Sequence, residues 1–276
     1  MTESRPSGWS KLEVWLVSLF FLCMGIAIVL YGRRDWMPPL ASKHGAGVDA
    51  MLTYLLVVTG TMLLIAFTAL AILVWQGGRR TSVITRLARH KTELTISLAL
   101  GLLMAAVAEG GVLAIGLPVW NAYFGAPVPP DALMIEVTAQ QFLWNVRYPG
   151  PDGKFGRTDV RFVDDASNPI GLDPSDPATA DDIVLMNQIV AQVNRPVHIR
   201  LRSKDMIHSF FLPNLRVKQD VIPGMTPEIT FVPTKEGTFD LACAELCGLG
   251  HYKMQGFFTV VAPGDFERRL HEEAAR

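Results

Sequence analysis

The stretch Cys243-Ala-Glu-Leu-Cys247-Gly-Leu-Gly-His251-Tyr-Lys-Met254 is the most informative part of this chain, and His208 lies upstream of it. Two thiols, two imidazoles and a thioether are together the soft and borderline ligands that bind copper well. A single electron-transfer copper needs one Cys, two His and a weak Met. The second Cys on the same short loop therefore indicates a site that two metal ions share.

Two other interpretations of these residues stay open at this point. Cysteines of an outward-facing domain often form a disulfide, and a Cys/His cluster binds zinc more often than copper. Met254 at this spacing and the apolar segments described next argue against both. The third cysteine, Cys23, lies in an apolar run and is interpreted as a small hydrophobic residue.

Three apolar runs, at residues 14–32, 50–78 and 94–120, are long enough to cross a membrane as helices, and only Glu109 interrupts the third. Between the second and third runs, residues 79–91 carry five basic residues and no acidic one: Arg79, Arg80, Arg86, Arg89 and Lys91. Cytoplasmic loops carry an excess of Lys and Arg. We therefore expect this loop inside a bacterial-type cytoplasmic membrane, and everything after about residue 121 on the outer, periplasmic side.

The first apolar run has two interpretations. Residues 1–47 hold either an extra, retained transmembrane helix or a cleaved signal peptide. The pair Arg33-Arg34 is an unusual flank for cleavage, whereas residues 38–42 are a candidate processing site. Both interpretations leave the second run starting outside, so we expect two or three transmembrane helices, with residues 48–122 forming a helical hairpin.

The pattern changes after residue 131, where short segments rich in alternating apolar side chains are separated by turns that contain Gly. The predicted strands cover residues 133–137, 197–202, 228–232, 238–242 and 257–261. They predict an antiparallel sandwich or barrel over residues 131–263. Residues 264–276 predict a tail that forms a short, solvated helix. The fold class is thus membrane-anchored α followed by all-β.

Residues 150–183 form a polar insertion that is rich in Asp, Pro and Gly. We interpret it as a solvated loop. The alternative is that its negative potential steers a basic donor protein toward the metal.

The metal loop and two segments before it, residues 205–213 and 217–224, resemble subunit II of cytochrome c oxidase. The resemblance covers about residues 48–262 and implies a cupredoxin-like Greek-key domain with a dinuclear copper centre (CuA). Its implied copper ligands are His208, Cys243, Glu245 through its backbone carbonyl, Cys247, His251 and Met254. The Glu245 side chain also resembles the family's ligand to a magnesium ion at the boundary with subunit I, and a merely exposed glutamate is the alternative.

Two aromatic positions match the family's electron-entry motif. That motif is usually Gln-Trp-Tyr-Trp, and here it is Gln141-Phe142-Leu143-Trp144. The resemblance implies electron transfer through Phe142 and Trp144, although Phe142 replaces the first Trp. Plain core packing is the alternative for Trp144.

Two acidic residues match family positions outside the metal loop. Asp205 corresponds to an acid that helps to dock the donor, while Arg147 stands where an acid is common. Glu93 corresponds to the glutamate at the inner mouth of a proton path, but Ile96 and Leu100 replace the Trp and Pro that follow it. A residue solvated by lipid headgroups is the alternative for Glu93.

The resemblance implies the electron-entry subunit of a haem–copper respiratory oxidase. Such a subunit takes electrons from cytochrome c and passes them to haem in subunit I, which reduces O2 to water and pumps protons. We expect this chain to be catalytically inert alone. The expected partners are subunit I, further oxidase subunits, cytochrome c and the membrane, without nucleic acid.

Three alternative functions differ in how well the sequence supports them. The sequence barely distinguishes this function from that of the CuA subunit of a haem–copper nitric oxide reductase. A quinol oxidase subunit is disfavoured because all five ligand side chains are present. A membrane copper chaperone or sensor is disfavoured by Glu245 and by the helical hairpin.

Overall fold

The computed structural model of the chain describes residues 11–32, 37–77 and 90–275. Two units are distinguished: Met1–Met37 with Asp49–Leu117, which is helical where described, and Pro38–Val48 with Pro118–Arg276, which carries the sheets. The basic residues that set the predicted orientation lie outside the described residues or, for Lys91, have no described side chain: Arg79, Arg80, Arg86, Arg89 and Lys91. The orientation therefore stays a prediction from the sequence.

The predicted apolar runs are helical throughout their described residues. The helices are α1 (Lys11–Gly32), α2 (Gly45–Gly77), α3 (His90–Met104) and α4 (Gly110–Trp120). Three stretches are long and apolar enough to cross a membrane: Trp15–Gly32, Gly45–Ile72 and Glu93–Gly125. A helix satisfies its backbone hydrogen bonds internally, which lipid requires. Three candidate membrane helices are thus confirmed.

A π-helical turn, Ala105–Glu109, joins α3 to α4. The Tyr54 hydroxyl on α2 donates a hydrogen bond to the Val107 carbonyl within this turn. A Cβ at residue 111 would overlap the Tyr54 ring, so Gly111 allows the two helices to approach here. Glu109 is the last residue of the turn, and its side chain is exposed.

The second unit contains ten strands in two five-stranded sheets. The strands are β1 (Leu133–Gln140), β2 (Leu143–Tyr148), β3 (Ile183–Met186), β4 (Gln188–Gln192), β5 (Val197–Ser203), β6 (His208–Leu212), β7 (Val217–Val221), β8 (Glu228–Phe231), β9 (Gly237–Cys243) and β10 (Gln255–Val261). One sheet has the order β3-β2-β1-β5-β8 and the other β4-β10-β9-β6-β7. The two sheets enclose a core whose largest fully buried side chains include Trp144, Tyr148, Phe210, Phe231 and Phe258.

All five predicted strands are present, as parts of β1, β5, β8, β9 and β10, and only the prediction for β8 extends one residue too far, to Val232. The expectation of a purely antiparallel arrangement was wrong. β1 pairs with β5 in parallel, from Leu133↔Val197 onward, and β4 pairs with β10 in parallel. Parallel neighbours need a long crossover connection. The chain between β1 and β5 provides one by first forming β2, the insertion, β3 and β4.

The C-terminal tail is helical, as predicted, but it is not fully solvated. α5 (Phe266–Ala274) buries Phe266, Leu270 and Glu273, which lie on one face at helical spacing. This face packs on β3 and β4. The spacing of the two apolar residues therefore outweighs the high charge of the segment.

Residues 38–48 pack on the second unit as a strap. The Ala41 amide donates to the Asn214 carbonyl at 2.8 Å, and the Thr234 amide donates to the Ala41 carbonyl at 2.8 Å. The Ser42 hydroxyl donates to the Leu215 carbonyl at 2.5 Å. Ala41 and Ser42 are buried, so the candidate processing site at residues 38–42 is part of the folded β unit.

The insertion is anchored by one buried arginine. The Arg147 guanidinium lies 2.5 Å from Asp182 and 3.5 Å from Glu136, and all three side chains are at most 4 % exposed. It also donates to the Gly156 carbonyl and lies 5.1 Å from the centre of the Phe155 ring. Because Arg147 is buried, it does not contribute a charge to the protein surface.

Replacing Arg147 with Met leaves two buried carboxylates without their shared cation. We expect the free energy of unfolding to fall by about 3 kcal/mol, since breaking a buried ion pair leaves uncompensated charge. Denaturant unfolding of the full chain in detergent measures the change. Arg161→Met is the matched control, because Arg161 pairs with Asp159 at the surface. Equal unfolding midpoints for the two variants would contradict this role for Arg147.

Candidate metal centre

Strand pairing brings the separated segments of the site together. β6 pairs antiparallel with β9 so that Phe210 lies opposite Cys243, which places the start of β6, at His208, beside the end of β9. The chain then returns along β9 as β10. Consequently, the Cys243 amide donates to the Met254 carbonyl at 3.2 Å, and the metal loop closes at its base.

The donor atoms of the predicted ligands lie close to one another. The sulfur atoms of Cys243 and Cys247 are 3.8 Å apart, and Nδ1 of His208 lies 4.0 Å from the Cys243 sulfur. Nδ1 of His251 lies 3.5 Å and Sδ of Met254 lies 3.7 Å from the Cys247 sulfur. Two thiols thus occupy the centre, and each has one imidazole beside it.

Most of the site is buried and its thiols are free. His208 and Cys247 are fully buried, Met254 is 2 % exposed and Cys243 is 9 % exposed. A disulfide would need the sulfur atoms about 2.05 Å apart, far less than the observed distance. The disulfide interpretation therefore does not describe this structure.

Opposing effects act on the pKa values of the cluster. Burial raises the pKa of Cys243, but hydrogen bonds from His208 and nearby backbone groups outweigh burial and hold that pKa well below its usual range. Burial and the neighbouring Cys243 raise the pKa of Cys247. Burial lowers the pKa of His208, but contacts with Cys243 and Asp205 raise it more. The Cys243 thiol is thus the first of the two thiols to ionise, beside an imidazole whose pKa is raised.

The donor set fits copper. Ligand atoms of His208, Cys243 and Cys247 all lie within 4.8 Å of one another, and His251 and Met254 add a second imidazole and a thioether. Zinc sites in proteins are built from Cys, His and carboxylates, so a buried thioether aimed at the thiols favours copper instead.

Glu245 contributes its backbone rather than its side chain to this cluster. Its carbonyl oxygen lies 3.1 Å from the Cys243 sulfur, which is consistent with the predicted carbonyl ligand. Its side chain is exposed, and the described residues show no ion pair for it.

Asp205 points into the site through its carboxylate. Its Oδ1 lies 2.7 Å from Nε2 of His208 and accepts from the Met206 amide, while Oδ2 accepts from the Gln141 amide at 2.7 Å. Burial would raise the pKa of Asp205, but these hydrogen bonds lower it below its usual range. Because Nε2 of His208 is engaged, Nδ1 is left toward the thiols.

The aromatic motif lies beside the metal loop. Trp144 is fully buried in the core, and its ring centre is 6.3 Å from that of His208. The Phe142 ring lies against Gly248 and Gly250 of the loop. Gln141, for which the sequence predicts no role of its own, donates a hydrogen bond from its side-chain amide to the Cys247 carbonyl at 2.6 Å. The only sequence signal for this residue is its place in the aromatic motif at residues 141–144.

Two remaining predicted features lie elsewhere. Glu93 is an exposed residue in the first turn of α3, in the helical unit. The aspartates of the insertion are largely used within it. Asp164, Asp173 and Asp176 accept hydrogen bonds from backbone amides two residues ahead. These carboxylates therefore stabilise turns within the insertion.

Known proteins match this chain over both its helical and its β segments. Residues 133–261 match the family described as "Cytochrome C oxidase subunit II, periplasmic domain". The "Alternative cytochrome c oxidase subunit 2" of Bradyrhizobium diazoefficiens is 34% identical over 262 residues, which cover 93% of this chain and 91% of that protein.

Two further proteins are more distant or shorter. The cytochrome c oxidase subunit 2 of Synechocystis is 27% identical over 59% of this chain and 39% of its own length. The crystal structure of the periplasmic domain of subunit II from Bradyrhizobium japonicum is 29% identical. It covers 54% of this chain and 98% of its own, with a TM-score of 0.39.

The family match and the relative from Bradyrhizobium diazoefficiens confirm the family that the metal loop predicts, the membrane-anchored cupredoxin-like fold and the place of the chain in an oxidoreductase complex. The full-length relative from Bradyrhizobium diazoefficiens is decisive, because the alignment spans nearly the whole of both chains. The chain belongs to the cytochrome c oxidase subunit II family and is a subunit of a haem–copper oxidase, with a periplasmic β domain.

Proposed function

We propose that this chain is the electron-entry subunit of its oxidase and that the metal centre holds two copper ions. The buried pair of free thiols, with an imidazole beside each, carries the proposal. When bound, such a copper pair supplies a one-electron carrier between cytochrome c and the haem of subunit I, which reduces O2 to water with proton pumping.

Each residue has a proposed task. Cys243 and Cys247 would supply the thiolates that hold the two ions, and His208 and His251 would each bind through the Nδ1 atom that faces a thiol. Met254 and the Glu245 carbonyl are weak ligands. Two thiolates would compensate much of the cationic charge in a largely buried site. Burial on β6, β9 and β10 keeps the ligands in place when the charge of the site changes.

Further assignments are proposed from the family resemblance. Phe142 is partly buried beside the metal loop, and the contact of the buried Trp144 with His208 supports a role in electron transfer. Asp205 is 33 % exposed at its side chain and is proposed to help dock cytochrome c. Glu245, through its exposed carboxylate, is proposed to bind magnesium at the boundary with subunit I, and Glu93 to serve a proton path.

The proposed division of the chain follows the same assignment. It comprises residues 1–47, the hairpin at 48–122, the copper domain at 131–263 and the tail at 264–276. The remaining subunits of the oxidase, the lipid bilayer and cytochrome c are the proposed partners.

Copper stoichiometry and spectroscopy test this function. The full chain, loaded with copper after reduction of its thiols, is expected to bind two ions and to show an electron paramagnetic resonance spectrum of one electron shared by two coppers. A single bound ion, or two ions with separate spectra, would sink the proposal. Turnover of the assembled complex with O2 and with NO distinguishes the oxidase from the nitric oxide reductase alternative.

Cys247→Ser should abolish the shared-electron spectrum and oxidase turnover, because a hydroxyl does not replace a bridging thiolate. Cys23→Ser is the matched control, since Cys23 is an exposed free thiol on α1. Copper content and turnover are measured on both variants. If Cys247→Ser kept the paired spectrum, the bridging role would be excluded.

Met254→Leu should keep both copper ions and raise the reduction potential, since loss of a donor sulfur destabilises the oxidised form more than the reduced form. Redox titration of the loaded chain measures the potential. Met186→Leu is the control, because Met186 is exposed on β3. An unchanged potential in Met254→Leu would show that its sulfur is not a ligand.

A further inference from the structure

Two ligand-bearing segments meet at Gln141, which lies in the turn between β1 and β2. The metal loop and the start of β6 come from different parts of the chain, and Gln141 contacts both. Its side-chain amide donates to the Cys247 carbonyl at 2.6 Å, and its backbone amide donates to Asp205 at 2.7 Å. A carbonyl only accepts, so the nitrogen end of the side chain faces Cys247.

The contact with Asp205 continues to a predicted ligand. Asp205 lies 2.7 Å from Nε2 of His208, so Gln141 is connected to His208 through one carboxylate. Gln141 also places Nε2 3.1 Å from the sulfur of Met206. One residue of the β1–β2 turn therefore touches the backbone of one bridging cysteine and the partner of one imidazole.

Phe142 supports the same loop by shape. The loop backbone passes close to the Phe142 ring, and a Cβ at residue 250 would overlap three atoms of that ring. At Gly248, φ is +121°, and a Cβ there would lie 2.7 Å from Nε2, the side-chain amide nitrogen of Gln141. Two glycines thus allow a close approach that any larger residue would prevent.

We propose, on the basis of the proposed copper function, that Gln141 and Phe142 form a ligand clamp, a pair of positioning residues that fixes the Cys247 sulfur relative to His208. Gln141 donates a hydrogen bond to the Cys247 carbonyl of the loop, and the Phe142 ring packs against Gly248 and Gly250. This assigns to the pair a task separate from electron entry, because it acts on the ligands before any donor protein binds.

Gln141→Leu is the first test, with Gln140→Leu as its matched control. Gln140 is the adjacent glutamine, and it accepts from Lys204 and Asn145 without touching the metal loop. In the copper-loaded full chain, Gln141→Leu should release copper to a Cu(I)-selective chelator at least about tenfold faster than Gln140→Leu, as expected for loss of a partner outside the ligand shell. Its paramagnetic resonance spectrum should also change.

A second measurement needs no metal. Hydrogen exchange of the amides at residues 244–253, in the reduced copper-free chain, should be about tenfold faster in Gln141→Leu, the effect of one lost hydrogen bond. Matching exchange and matching copper release in the two glutamine variants would overturn the clamp. If the wild-type chain failed to bind a copper pair, the proposed function would fall, while the exchange measurement would still decide whether the clamp exists.

Gly250→Ala and Phe142→Ala test the shape contact. Gly250→Ala alone should accelerate exchange in the loop, because the added methyl group overlaps the ring. Combining it with Phe142→Ala removes that overlap, so the effects of the two changes should not add. Additive effects would exclude the contact. No donor protein is present in these measurements, so a docking role for Phe142 would leave them unchanged.

Discussion

The antiparallel pairing of β6, β9 and β10 is the constraint on which the metal centre depends. A strand pair fixes the position of every residue along it, and a shift of one residue would turn each side chain to the opposite face. Phe210 opposite Cys243 and Gln255 opposite Ala242 therefore determine where the ligands stand. The loop between Cys243 and Met254 needs only to span a gap whose ends are already set. Metal coordination adds to a geometry that the sheet has established.

Much of this arrangement was predictable because its chemistry is local in sequence. Cys243, Cys247, His251 and Met254 share one loop, so ligand type and spacing indicate copper without knowledge of the fold. The apolar runs indicate helices for the same reason. The parallel pairing of β1 with β5 was not predictable, since no local pattern states which strand lies beside another. His208–Leu212 is buried on both faces except at Phe211, and it therefore lacks the alternation that marks a half-buried strand.

The roles of single polar residues were harder to predict than the site itself. Gln141 acts on Cys247 across 106 positions of the chain, and nothing in its own neighbourhood signals that contact. The polar insertion shows the same limit, because its charge count does not reveal what its aspartates contact. Several of them accept backbone hydrogen bonds, and Asp182 pairs with Arg147. Charge becomes informative only when its partners are known.

The strap at residues 38–48 limits where the chain can be cut without loss of contacts in the folded β unit. Ala41 pairs with backbone groups at both Asn214 and Thr234, so the folded periplasmic unit includes chain that precedes α2. A peptidase that cut beyond Ser42 would remove Ala41, so the carbonyl of Asn214 and the amide of Thr234 would lose their hydrogen bonds to it. A cut before Pro38 would spare them. The boundary of any removable leader is thus set by the requirements of the folded β unit as much as by the recognition sequence of the enzyme that removes it.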